Sequence, residues 1–116
     1  MSQKILVADD SLTIQKVIKI TLLEKDYKLE MAETCDEVLE KLTSDSFGLV
    51  LLDFNLSSEM TGHEIANKIK DIAPRTPILA MIGSFDSVDE DKLHSSGISG
   101  KIVKPFESSK FINTVD

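Results

Sequence analysis

The run Leu49-Val50-Leu51-Leu52, entered from Gly48 and closed by Asp53, constrains this chain more than any other stretch. Apolar residues in succession, with no polar alternation, suit a strand covered on both faces, as the strands of a parallel sheet are. Such a sheet needs helices on both sides, and its ligands gather beyond the carboxyl ends of its strands. Asp53 stands at such an end, where the apolar pattern breaks into Phe54-Asn55-Leu56.

The remaining segments supply the layers. Lys4 to Ala8 reads as a short buried strand running into Asp9-Asp10. Ser11 can cap a first helix that carries Ile14, Val17, Ile18 and Leu22 on one face. Lys28 to Ala32 alternates, Leu29 and Met31 against Lys28 and Glu30, which is the pattern of an edge strand. Thr34-x-x-Glu37 is a capping box opening a second helix through Leu42. Beyond the Asp53 strand, Thr61-x-x-Glu64 opens a third helix with Ile65, Ile69 and Ile72 inward, which stops before Pro74. Pro77 to Ile82 is again a continuous apolar strand. Ser87-x-x-Glu90 opens a fourth helix whose apolar face is only Val88 and Leu93, the least anchored of the set. Gly100 to Val103 is a fifth strand, followed by Lys104-Pro105-Phe106, and a last helix from about Glu107 uses Phe111, Ile112 and Val115.

Strand and helix thus alternate throughout, which predicts an α/β doubly wound sandwich with right-handed crossovers. The expected architecture is a flavodoxin-like (βα)5 fold with parallel sheet order 2-1-3-4-5 and the alternating second strand at one edge. That order sets the ends of the first and third strands side by side and brings Asp9, Asp10 and Asp53 together.

Composition removes several classes of function. A length of 116 residues suits one domain, 1–116, with one core. No apolar run is long enough to span a bilayer, and no signal-peptide core follows Met1, so membrane insertion is not expected. The single cysteine, Cys35, leaves no internal disulfide, and a reducing cytoplasm is the expected compartment. A net charge of −7 argues against nucleic acid as a direct ligand.

Three carboxylates meeting at one sheet edge repel one another and call for a cation. Mg²⁺ is the hard ion that accepts one or two carboxylates together with waters and a phosphate. Taken alone, Asp9 and Asp10 would be read as capping the first helix and favouring its dipole. Asp53 and Lys104 at strand ends on the same edge outweigh that reading, because a lysine there offers a point charge to a phosphate or carboxylate.

With Asp9-Asp10, Asp53 and Lys104-Pro105 each at the end of its strand, the whole chain resembles the receiver domain of bacterial two-component response regulators. The resemblance implies that Asp53 is the phospho-acceptor, taking a phosphoryl group from a phosphohistidine on a sensor histidine kinase or phosphotransfer protein. It implies that Asp9, Asp10, Asp53 and the backbone carbonyl of Asn55 hold Mg²⁺, that Lys104 pairs with phosphoryl oxygens, and that the Lys104-Pro105 bond is cis. The Asn55 side chain would tune the water that attacks in dephosphorylation. The physical logic agrees: phosphoryl transfer asks a protein for positioning and charge neutralisation more than for covalent chemistry. Asp53 must be ionised to attack; Lys104 and Mg²⁺ favour that form, and Asp9 and Asp10 alone disfavour it.

The sequence departs from the family pattern at the switch. Receivers usually carry Ser or Thr at the end of the fourth strand, and here that position is Ile82. Losing one hydrogen bond to a charged group costs on the order of 1.5–3 kcal/mol. Ser84, two residues on, is the candidate replacement donor if the strand extends that far. The usual aromatic three residues before the lysine is Lys101. In the usual scheme hydroxyl and aromatic move together, so the ordinary output switch is not expected here. Gly62 in the loop after the acceptor signals a close approach or a positive φ. Glu59 is read as a solvated loop acid, His63 and His94 as solvated and not catalytic, and Cys35 as a small packing residue.

Two other classes compete. A pseudo-receiver would keep the fold as a protein-interaction scaffold without using phosphate; Ile82 and Lys101 favour it, and the complete set Asp9, Asp10, Asp53 and Lys104 opposes it. A flavodoxin-like cofactor carrier is opposed by the turn Asp9-Asp10-Ser11-Leu12-Thr13, too acidic for a phosphate and without glycine. No output domain is recognised within the chain; the expectation is a piece of a longer protein or a single-domain regulator with a trimmed tail, acting on an output domain or downstream protein elsewhere.

Overall fold

The structure, a computed structural model, describes residues 3–22, 25, 27–56, 59–83 and 90–104. Among the described residues five strands alternate with four helices: β1 (Gln3–Ala8), α1 (Leu12–Thr21), β2 (Tyr27–Ala32), α2 (Cys35–Ser44), β3 (Leu49–Asp53), α3 (Gly62–Ile72), β4 (Ile78–Gly83), α4 (Glu90–Ser95) and β5 (Gly100–Lys104). The strands form one sheet in the order β2-β1-β3-β4-β5, and every neighbouring pair is parallel. This is the expected doubly wound topology, with the alternating strand β2 at one edge.

The apolar runs are continuous because alternate residues serve two separate cores. On one face Leu6, Ala8, Val50, Leu52, Ile78, Ala80 and Ile82 pack with Val38 and Leu42 of α2 and with Ile65, Ala66 and Ile69 of α3. On the other, Ile5, Val7, Leu49, Leu51, Leu79, Met81 and Ile102 pack with Ile18 and Leu22. A one-residue slip of any strand would exchange its two faces, so both cores fix the register.

Each capping residue named from the sequence within the described residues caps its helix. The Ser11 hydroxyl accepts from the Ile14 N–H at 3.3 Å and that of Thr34 from the Glu37 N–H at 3.2 Å. Thr61 and Glu64 complete a reciprocal capping box. The Ser87 cap, Val88, Pro105 and the last helix with Phe111, Ile112 and Val115 lie outside the described residues.

Two expected core positions are corrected. Val17 is exposed, and Gln15 is buried instead. The stripe of α1 runs through Gln15, Ile18 and Leu22, and Val17 lies about 100° round the helix from Ile18. Ile72 is also exposed; α3 buries Gly62, Ile65, Ala66 and Ile69, and Ile72, its last residue, falls on the flank of that stripe.

The amino ends of β1 and β3 are held by charge rather than by a site. Lys4 bonds Asp45, lies 3.8 Å from Glu30 and sits 5.9 Å from the centre of the Phe47 ring, while Lys41 reaches Glu30 at 3.2 Å. All the acidic chemistry singled out from the sequence lies at the opposite end.

Candidate functional site

β1 and β3 are paired as Ala8↔Leu52, so the residues that follow, Asp9 and Asp53, stand level at the carboxyl edge of the sheet. Asp9 is fixed at three atoms. Its N–H donates to the Ala32 carbonyl at 3.0 Å, its Oδ1 accepts from the Ser11 N–H at 2.8 Å, and its carbonyl accepts from Gln15 Nε2 at 2.7 Å. Asp53 ends β3; its Oδ1 accepts from the Asn55 N–H at 3.1 Å, and its carbonyl accepts from the Leu56 N–H at 3.1 Å.

The side chains of Asp9, Asp10 and Asp53 converge: each offers a carboxylate oxygen, and these oxygens all lie within 4.8 Å of one another. Asp9 and Asp53 are buried and Asp10 is exposed. Buried carboxylates this close repel in a medium that screens poorly, and they persist only with compensating charge or donors. The donors supplied by Ser11 and Asn55 are neutral backbone groups. A set of hard oxygens, two of them sheltered and one open to water, suits a small divalent cation that keeps part of its hydration shell.

The other residues named from the sequence fall around this cluster. Asn55 is exposed beside Asp53. Lys104 ends β5, and its backbone lies in register with Gly83, at the same edge; its side chain is outside the described residues, as is Ser84. Ile82 is one residue past Met81, the register partner of Asp53, and is buried in the core against α2 and α3. Lys101 is exposed on β5 opposite Ala80. Glu59 and His94 are exposed, as expected.

His63 is not simply solvated. Its Nδ1 lies 2.8 Å from the Ser96 hydroxyl, joining the start of α3 to the residue after α4. Its ring also meets Phe54, the residue after Asp53, edge to face at 5.0 Å and 80°. Gly62 resolves to a close approach: a β-carbon there would sit 2.3 Å from the Phe54 ring, whereas positive φ occurs at Gly97. Cys35 is half-buried against the α2–α3 core; burial pushes its thiol pKa up, Asp36 adds to this and Lys68 opposes it. Gln15 and the His63–Ser96 pair were not among the expected site or core residues. Gln15 carried one readable signal, a polar residue in the register of Ile18 and Leu22.

The description "Response regulator receiver domain" matches residues 5–116. The chain belongs to this family. The receiver is 28% identical over 112 residues to the transcriptional regulatory protein SrrA of Staphylococcus aureus, a match over 97% of this chain and 46% of that protein. It therefore spans about half the length of the curated relatives it matches. Its fold superposes on chemotaxis protein CheY4 of Vibrio cholerae with a TM-score of 0.88 and 27% identity, covering 99% of this chain and 97% of that one. A two-component response regulator from Clostridium difficile aligns with a TM-score of 0.86 and 25% identity over 98% of this chain and 93% of that one. Receiver domains are signalling modules of two-component systems, served by a phosphodonor partner, and bind Mg²⁺ at an acidic pocket; in this receiver that pocket corresponds to the cluster of Asp9, Asp10 and Asp53. Among the described residues no helix is long and apolar enough to cross a membrane.

Proposed function

We propose that this receiver accepts a phosphoryl group on Asp53 from a phosphohistidine of a sensor histidine kinase or phosphotransfer protein, with Mg²⁺ held by Asp9, Asp10, Asp53 and the Asn55 carbonyl. The observation that carries the reading is the convergence of three carboxylate oxygens within 4.8 Å at the end of β3. When bound, Mg²⁺ supplies the positive charge that offsets both the carboxylates and the phosphoryl oxygens.

The residues of the chain do the rest. One Asp53 oxygen accepts the Asn55 N–H, which fixes the plane of the carboxylate. A carboxylate oxygen of Asp53 attacks phosphorus as the phosphorus–nitrogen bond to the donor imidazole breaks, and the imidazole keeps the electron pair. Lys104 lends a point charge to the transferred group. Hydrolysis by water returns Asp53 to its free form, with the exposed Asn55 side chain beside the path of that water. The domain is thus a switch that processes only its own aspartate. We place it in the cytoplasm, as a module of residues 1–116 read by an output domain or downstream protein.

The burial of Ile82 favours a second reading, the pseudo-receiver scaffold, because an alkyl side chain at that strand end gives the phosphoryl group no hydrogen bond. The lost bond, worth on the order of 1.5–3 kcal/mol, weakens retention of the phosphoryl group without removing the acceptor. Intact mass after incubation with acetyl phosphate or phosphoramidate, with and without Mg²⁺, decides between the two. The expected result is a Mg²⁺-dependent gain of one phosphoryl group that Asp53→Asn abolishes. No gain under conditions that label another receiver, or equal labelling of Asp53→Asn, overturns the proposal.

A further inference from the structure

We infer that Gln15 is a positioning residue for the cation cluster, holding through the Asp9 carbonyl the turn that presents Asp9 and Asp10. The inference rests on the Mg²⁺ reading above.

Gln15 is a polar side chain, 7% exposed, in the stripe that α1 otherwise buries with Ile18. A buried amide in such a stripe is unfavourable unless its hydrogen bonds are made. Its Nε2 donates to the Asp9 carbonyl at 2.7 Å, and its own N–H bonds the Ser11 carbonyl at 3.0 Å. One residue therefore ties the first turn of α1 to both ends of the segment Asp9-Asp10-Ser11.

The Asp9 carbonyl is where such a tie has most effect. The ladders from β1 to β2 and to β3 both end at Ala8, so this carbonyl lies just beyond the last paired residue. The Asp9 N–H is held by Ala32 and the Asp9 carboxylate by Ser11. With Gln15 added, the backbone is fixed on both sides of the Asp9 α-carbon, and the peptide that leads into Asp10 is oriented. Both metal-facing carboxylates leave the chain from this pinned unit.

Charge explains why an amide suits the position. A cationic donor would set a fixed positive charge near a cation site, and an ionised carboxylate could not donate to the carbonyl at all. Glutamine donates without adding charge. Partners that orient metal-ligating groups typically matter by about 10–100-fold in metal affinity. A bond acting through a backbone carbonyl belongs at the lower end, roughly tenfold.

The test uses Gln15→Met, close in shape and without a donor. Mg²⁺ binding to the whole chain is followed by amide chemical shifts, and acetyl phosphate labelling is followed against Mg²⁺ concentration. Half-saturating Mg²⁺ should rise about tenfold in both, while labelling at saturating Mg²⁺ stays at the wild-type rate. Phe47→Leu, at the other end of the sheet, serves as the control: it lowers stability and leaves half-saturation unchanged. If Gln15→Met does not fold, Gln15→Asn, whose amide is one methylene short of Asp9, carries the same expectation. Wild-type half-saturation in the Gln15 variant, or an equal rise in Phe47→Leu, overturns the inference while the proposed function stands. A wild-type chain that neither binds Mg²⁺ nor labels overturns both.

Discussion

Replacing Gly62 by alanine tests the packing that links the end of β3 to α3. Alanine is ordinarily preferred to glycine in a helix, and it restricts the unfolded chain, a gain of about 0.4–1 kcal/mol where the backbone is compatible. The φ of Gly62 is not positive, so the backbone does not forbid the change. The neighbour does. The new β-carbon would lie 2.3, 2.5 and 2.6 Å from Cδ1, Cε1 and Cγ of Phe54. That is about 1 Å inside ordinary carbon–carbon contact, and it meets the ring near its root, where a small tip rotation gives no relief. Phe54 must shift as a whole, away from His63 and from the core against which it packs. Overpacking of this kind costs about 1–3 kcal/mol, which exceeds the gain. The expected net loss of about 1 kcal/mol lowers Tm by roughly 4 °C in a domain of this size. Thermal melts of Gly62→Ala, Phe54→Ala and the double variant give the coupling. The double variant should lose less than the sum of the singles, because the smaller side chain vacates the space. A Tm equal to or above wild type in Gly62→Ala, or strict additivity, would refute the steric argument. Because Phe54 follows Asp53 and donates its N–H to the Met81 carbonyl at 3.0 Å, the same variant should also slow phosphoryl labelling.

Two further outcomes are expected. Ile82→Thr places a hydroxyl at the end of β4; it should lower stability by about 1–3 kcal/mol through a buried polar group, yet lengthen the lifetime or raise the extent of Asp53 phosphorylation. No change in either phosphorylation measure would assign the donor role to another group, with Ser84 the first to substitute. The Cys35 thiol, raised by burial, holds its proton to higher pH in the folded protein than its ordinary value of 9.0. Its contribution to stability is complete below the unfolded pKa and is lost as pH rises through the folded one. Iodoacetamide, which reacts with the thiolate, should therefore show an alkylation midpoint above that of the urea-unfolded chain; a midpoint at or below it would contradict the burial argument.

What could be read from the chain, and what could not, divides along a physical line. Continuous runs such as Leu49–Leu52, the alternation of Leu29 and Met31 in β2, and the pairs Ser11–Ile14 and Thr61–Glu64 are local signals, and the sheet order followed from their sequence. The convergence of Asp9 and Asp53 followed in turn from the order, since adjacent parallel strands bring their carboxyl ends together. The features not read are contacts between segments whose separation carries no periodic trace. His63 and Ser96 are 33 positions apart, and no rule of spacing pairs them. Val17 and Gln15 differ from expectation for another reason: angular position, not apolar character, defines the buried stripe of α1. Taken by angle, Gln15, Ile18 and Leu22 share a face, and an amide in the middle of that face requires a partner across the turn. The Asp9 carbonyl, one residue past the last ladder partner of β1, is the partner it has. A polar residue at the centre of an otherwise apolar helical stripe, facing the end of the strand before it, is thus a local signal for a tethered turn.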